Sequence, residues 1–172
     1  MVINSNDVII DHIWLWRADH GNGVGWGKNK AANGLIVNGN NVTVYGLFNE
    51  HFQEYQTLWN GNNGRVYFYQ SEMPYDPPTA DAWKHDDKNG YASYKVSDNV
   101  TNHEAWGIGI YNVFYNAPVI VDNAIETPAS LEDKIHHKII FWLNGNKDSV
   151  VKSIINGKGG SVNVSNRKAT ME

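Results

Sequence analysis

The sequence predicts an all-β fold in which short parallel strands wind into a solenoid, a parallel β-helix. Three observations lead there. Segments of one design recur, "SNDVIIDHIWLWRADH", "GNNVTVYGLFNEHF" and "GNNGRVYFYQSEMPY", each running from an Asn-containing turn through a β-branched and aromatic strand to an acid. Those acids are Asp19, Glu50 and Glu72, spaced 31 and 22 residues apart. Asn occurs 23 times and Gly 16, often side by side, which supplies the positive-φ backbone that tight turns need. Finally, strands such as "VTVY", "RVYFY" and "IIFWL" resemble one another in register instead of alternating as mirrored hairpin partners, so stacked coils are favoured over a sandwich.

Taken in order, the three repeats account for the first three coils. A fourth pass, "GYASYKVSDNVTNHEAWGIGIYNVF", repeats the strand–turn–strand rhythm and is expected to place His103 and Glu104 like the earlier acids. Further strands are predicted at residues 118–121, 135–143 and 149–155, punctuated by "NGN" and "NGKGG". The last of these is too rich in Val and Ile, and too poorly capped, to read as a helix.

The 172 residues fit one domain with a real core, 1–172. Net charge is −4, and only Arg17, Arg65 and Arg167 supply guanidinium, so no basic stripe exists for phosphate contacts and no nucleic-acid partner is expected. There is no cysteine, which removes disulfides, thiolate zinc sites and Cys nucleophiles. No apolar run reaches membrane-spanning length and no signal peptide opens the chain, so no membrane partner is expected. Aromatic residues make up 12%, more rings than one core can hold; those at strand ends, Trp16 first, are placed to stack on a sugar face.

In a parallel β-helix, equivalent residues stack at ~4.8 Å, which would set Asp19, Glu50 and Glu72 in one column and raise at least one pKa through repulsion. Carboxyls ~5–9.5 Å apart are the machinery of glycosidic hydrolysis, one as proton donor and one guiding the nucleophile. Glu72 is the best donor candidate, because Met73, Pro74, Tyr75, Pro77 and Pro78 would disfavour its ionisation. Competing motifs are weak. "GNGVGWG" lacks the strand-to-helix context of a dinucleotide fingerprint; "NHEAW" lacks the second His of a zincin; His136 and His137 read as strand surface; no Gly-x-Ser-x-Gly elbow occurs.

The stretches "WRADH", "VTVYGLFNEHFQEYQ" and "YFYQSEMPYDPP" resemble the second half of family-55 glycoside hydrolases, exo-acting β-1,3-glucanases (laminarinases), over residues 8–115 and most closely over 42–78. The resemblance implies a right-handed, pectin-lyase-like parallel β-helix that forms the C-terminal part of a larger enzyme of two such helices, the N-terminal one contributing the other wall of the cleft. It implies inversion of configuration, Glu72 as general acid, Glu50 as a holder of the attacking water, and Trp16, Asp19 and Tyr75 as sugar-contacting or site-ordering residues. Phe52 stands where the family usually has a second His, and Met73 where it has Thr.

The expected substrate is therefore a neutral glucan, polysaccharide or oligosaccharide, hydrolysed without metal or organic cofactor by a secreted full-length protein; the isolated chain is expected to be inactive. A non-catalytic polysaccharide-binding β-helix is the alternative. A uronate lyase fits less well, since anionic sugars need cationic partners and Arg17 is the one guanidinium near this acidic cleft.

Overall fold

The computed structural model describes residues 1–172, and two kinds of strand alternate along them. A short strand leads into a long one in each coil: β1 (Val2–Ile3) into β2 (Ile9–Trp16), β3 (Leu35–Val37) into β4 (Thr43–Glu50), and β5 (Thr57–Trp59) into β6 (Gly64–Glu72). A small hairpin follows, β7 (Lys84–His85) with β8 (Lys88–Asn89), and then the fourth coil, β9 (Tyr94–Val96) into β10 (His103–Phe114). The fifth coil is β12 (Ile125–Glu126) into β13 (Ile135–Gly145), preceded by β11 (Ile120–Val121) and followed by β14 (Val150–Val151) and β15 (Lys168–Met171). The one helical turn is the 3-10 segment Ala129–Lys134.

Short strands pair with short and long with long, in parallel and in chain order: β1-β3-β5-β9-β12 form one sheet and β2-β4-β6-β10-β13 another, whose edge β15 closes antiparallel. β11 and β14 make a third parallel pair. Successive coils thus lie one on another, as the repeats predict, and the chain has the stacking of a parallel β-helix.

Alternation along each strand sends one set of side chains between the sheets. Val44, Leu47, Val66, Tyr69, Ala105, Ile108, Ile110, Ile135 and Ile140 are all buried in one continuous core; each large apolar side chain contributes roughly 1.5–3 kcal/mol. Every long strand bends at one shared rung, through a residue of positive φ: His12 (48°), Gly46 (65°), Phe68 (65°), Gly107 (71°) and His137 (54°). Just before the bend the outward rings of Tyr45, Tyr67, Trp106 and His136 stack with centroids 5.2, 4.8 and 5.3 Å apart.

The Asn-rich turns stack too. Asn60 Nδ2 donates to Asn38 Oδ1 and Asn38 Nδ2 to Asn4 Oδ1, both at 2.7 Å. Beside them Asn41 donates to Asp7 at 2.6 Å and Asn102 to Asn63 at 2.8 Å. Asp7, Asn41 and Asn63 adopt φ of 59°, 56° and 57°, a conformation Asn and Asp tolerate better than most side chains. The asparagine excess is therefore a structural spine as well as turn chemistry.

Candidate active site

Beyond the bend, strand alternation turns Phe48, Glu50, Gln70 and Glu72 away from the core that takes Leu47, Asn49, Tyr69 and Ser71, and of the four Glu50 is itself covered, 8% exposed. Register pairs Trp16 with Glu50, Glu50 with Glu72, and Glu72 with Tyr111. Glu50 and Glu72 therefore do share a column on neighbouring rungs. Asp19 does not: β2 ends at Trp16, which occupies the equivalent rung, and Asp19 lies three residues on, in the loop leading to β3. His103 and Glu104 are not in the column either, because they pair with Gly64 and Arg65 at the opposite end of the strands. Tyr111 stands in the fourth rung instead.

Asp19 nevertheless reaches the column through His51. The chain turns at His51 with φ 68° directly after Glu50, and this turn aims the imidazole back toward the first coil. His51 Nδ1 lies 2.8 Å from Asp19 Oδ1 and Nε2 lies 3.2 Å from Glu72 Oε2, with the ring buried. Trp16 Nε1 is 3.2 Å from the same Nδ1, but a nitrogen that donates to Asp19 has no lone pair for the indole, so the shorter Asp19 contact governs. Tyr75 completes the group: its backbone N–H donates to Asp19 Oδ2 at 2.7 Å, its hydroxyl donates to Glu72 Oε2, and its ring lies 4.3 Å from that of His51.

Electrostatics follow from these contacts. Burial alone would lower His51, but hydrogen bonds to Asp19 and Glu72 outweigh it and raise its pKa from 6.5 to about 9. The hydrogen bond from His51 is the largest influence on Glu72 and, with that from Tyr75, lowers its pKa in spite of burial. This reverses the expectation of a carboxyl kept neutral by apolar neighbours. Met73 follows Glu72 by one residue, so alternation turns it inward to the core, and the groups that touch the carboxylate are polar. Asp19 is also lowered, its burial offset chiefly by His51. Phe52 and Met73, the two departures from the family pattern, are both buried.

Glu50 is held from below: Trp14 Nε1 donates to its Oε2 at 2.9 Å. Trp14 and Trp16 are 63% and 48% exposed, with ring centroids 6.3 Å apart, whereas Trp59, Trp83 and Trp142 are buried. Trp16 is thus free to serve as a platform beside the carboxylates. Arg17, itself buried, ties the loops together: Nε donates to the His51 carbonyl, Nη1 to the Asn29 carbonyl at 3.1 Å, and Nη2 to Asp76. Burial raises the Asp76 pKa against the pull of Arg17. His51 and Arg17 were not singled out as site residues from the sequence, although the signal for His51 lies in its place next to Glu50 in "NEHF".

Asp19, His20 and His51 offer three possible metal-ligand atoms within 4.8 Å of one another. Asp19 Oδ1 lies 2.7 Å from His20 Nδ1 and 2.8 Å from His51 Nδ1, closer than the about 3.3 Å between neighbouring ligands of a tetrahedral zinc. Those are hydrogen-bond separations, and the trio is a hydrogen-bonded cluster.

Known proteins carry the same arrangement of coils. A model of the LAM55 pectate lyase-like domain matches residues 1–72. An exo-β-1,3-glucanase of Streptomyces sp. (strain SirexAA-E / ActE) is 47% identical over 146 residues, which is 84% of this chain and 24% of that protein. The structure of sacteLam55A from Streptomyces sp. SirexAA-E superposes with a TM-score of 0.91 at 40% identity, over 99% of this chain and 31% of the other. An ensemble refinement of a glutamate-to-alanine variant of sacteLam55A in complex with glucose matches equally well, again at a TM-score of 0.91. This chain therefore spans less than a third of the length of the relatives it matches. Stacked coils, a shared domain and nearly half of the aligned residues in common place the chain with the family-55 glycoside hydrolases, of whose length it matches one part.

Proposed function

We propose that this chain carries the acid side of a glycoside-hydrolase site acting on a β-1,3-glucan with inversion of configuration. One observation carries the reading: Glu50 and Glu72 sit in register on adjacent rungs beside the exposed ring of Trp16. In it, Glu72 is the general acid, protonating the leaving sugar oxygen, and Glu50 helps to hold the attacking water. Trp16 stacks on the sugar, and Tyr75 and Asp19 order the donor. The kinship to an exo-β-1,3-glucanase supports the substrate class.

The same reading makes the β-helix right-handed and C-terminal to a second β-helix, which completes the cleft, in a secreted full-length protein. Residues 1–172 alone then have little or no activity. The test is laminarin hydrolysis by the full-length protein and its Glu72→Gln form, with the product anomer followed by polarimetry or NMR. Loss of hydrolysis with folding intact and an α-anomeric product from the parent is the expected result; wild-type rates in Glu72→Gln overturn the role of Glu72. The exposed rings of Trp14 and Trp16 favour one alternative, a non-catalytic polysaccharide-binding module. That reading is supported instead if Glu72→Gln binds laminari-oligosaccharides unchanged and no full-length form cleaves them.

A further inference from the structure

Resting on the reading of Glu72 as proton donor, we infer that the His51–Asp19 pair is the proton-holding and positioning unit that loads Glu72 for each turnover. The geometry sets the problem. A general acid must carry a proton when the substrate arrives, yet the contacts around Glu72 favour its charged form. Two donors reach Glu72 Oε2, the Tyr75 hydroxyl and His51 Nε2, the latter at 3.2 Å; burial and the adjoining carboxylate push the Tyr75 phenol well above its ordinary range, so the proton that can be given up is the one on His51. The opposite nitrogen, Nδ1, is fixed by Asp19 at 2.8 Å, so the imidazole can lose the Nε2 proton and remain in one tautomer and one orientation.

The other groups facing His51 act to hold this unit still. Tyr75 covers the ring at 4.3 Å and also bonds Glu72 and Asp19; His20 lies 5.5 Å away and bonds Asp19; Arg17 grips the His51 carbonyl and is itself paired with Asp76; Glu50 precedes His51 in the chain. Without substrate the unit is an imidazolium between two carboxylates, and those two acidic partners outweigh burial and keep its proton up to a pH of about 9.

Seating a sugar over Trp16 removes water from Glu72 and disfavours its charge. The Nε2 proton then moves to the Glu72 carboxylate, leaving a neutral acid beside a neutral imidazole. As the glycosidic C–O bond breaks, that proton passes to the leaving oxygen and Glu72 is again a carboxylate. The attacking water adds hydroxide to the anomeric carbon and gives its own proton to the base on the other side of the ring, from which it returns to solvent. His51 is reprotonated from solvent, so water is added across the bond and no proton is gained or lost.

The experiment uses the full-length protein as wild type, His51→Gln and Asp19→Asn, each on laminarin and on an aryl β-glucoside whose acidic phenol leaves without protonation. We expect kcat on laminarin to fall about 100-fold in His51→Gln, within the usual range for losing acid–base assistance, with KM little changed. Loss on the aryl substrate should stay within several-fold, and the basic limb of the laminarin profile should move to lower pH in both variants. In the wild type, laminarin turnover should decline above pH about 9 while aryl turnover does not, a comparison that needs no variant to fold. Equal losses on both substrates with unmoved pH limbs would reduce His51 to a structural role and overturn the inference. Wild-type laminarin rates in Glu72→Gln would instead overturn the underlying assignment of Glu72.

Discussion

Trp14 donates its indole N–H to Glu50 Oε2 across one rung of the sheet, at 2.9 Å, while the rest of the ring stays open to solvent. A Trp14→Phe change keeps a ring in place and removes only that donor. A hydrogen bond to a charged group contributes about 1.5–3 kcal/mol, so kcat on laminarin should fall roughly ten- to a hundredfold in the full-length protein. The thermal midpoint should fall by roughly 2–4 °C for each kcal/mol of that bond lost, without loss of the fold, because Trp14 is not a core residue; an unchanged kcat would show that Glu50 needs no such support.

Stability should peak near pH 6.5. His103 is fully buried, with Tyr94 on Nε2, and burial lowers its pKa from 6.5 to about 3, so the folded state refuses a proton that the unfolded chain accepts. Its contribution is present above 6.5 and is lost as pH falls toward 3. His51 has the opposite sign: raised from 6.5 to about 9, it contributes fully below 6.5 and is lost as pH rises through about 9. Urea midpoints between pH 4 and 10 should trace this dome, with changes on the order of a few kcal/mol on each side. His51→Gln should flatten the alkaline side, and a wild-type curve already flat there would contradict the assignment.

Gly64 opens β6 where two buried rings meet. A methyl group on it would lie 2.4 Å from His103 Nδ1 and 2.4 Å from Trp59 Cε2, and both rings are locked in the core. Gly64→Ala should therefore cost about 1–3 kcal/mol or more through overpacking, read as a lower urea midpoint with an unchanged slope. Gly27, whose added methyl meets nothing within 4 Å and whose φ is not positive, should accept Ala with little change and serves as the control.

Asn38 both donates to Asn4 and accepts from Asn60. Asn38→Asp keeps the acceptor and loses the donor, so a cost of about 0.5–1 kcal/mol is expected at neutral pH. Protonating the new acid restores a donor, so the deficit should shrink below pH 4 in parallel urea titrations. A deficit independent of pH would point to backbone geometry instead.

Much of this was legible in the sequence because a stacked coil repeats its requirements. "NGNN" at 38–41 and at 60–63 announces two equivalent turns, and the strands that follow end in Glu50 and Glu72, which do pair. The position of Asp19 is not legible, because its distance from Glu50 is set by a loop and spacing does not tell a rung from the residues after it; the register makes Trp16 the equivalent residue. The charge state of Glu72 is hidden from its sequence neighbours for a related reason. Its sequence neighbours are apolar, but in a solenoid the closest side chains come from other coils, here His51. Arg17 could be put near the acidic cleft but its partners could not be read, since Asn29, His51 and Asp76 lie 12, 34 and 59 residues away.

The spine of turn amides has a direction. Asn38, Asn41 and Asn60 each hand a proton donor down to the coil beneath and offer an oxygen to the coil above, whereas a carboxylate can only receive. Asp7 sits at the lowest position of its line and receives from Asn41. Any layer stacked beneath it must present a donor, a hydroxyl, an amide or a cation, so this single acid restricts which surface can extend the solenoid at that end.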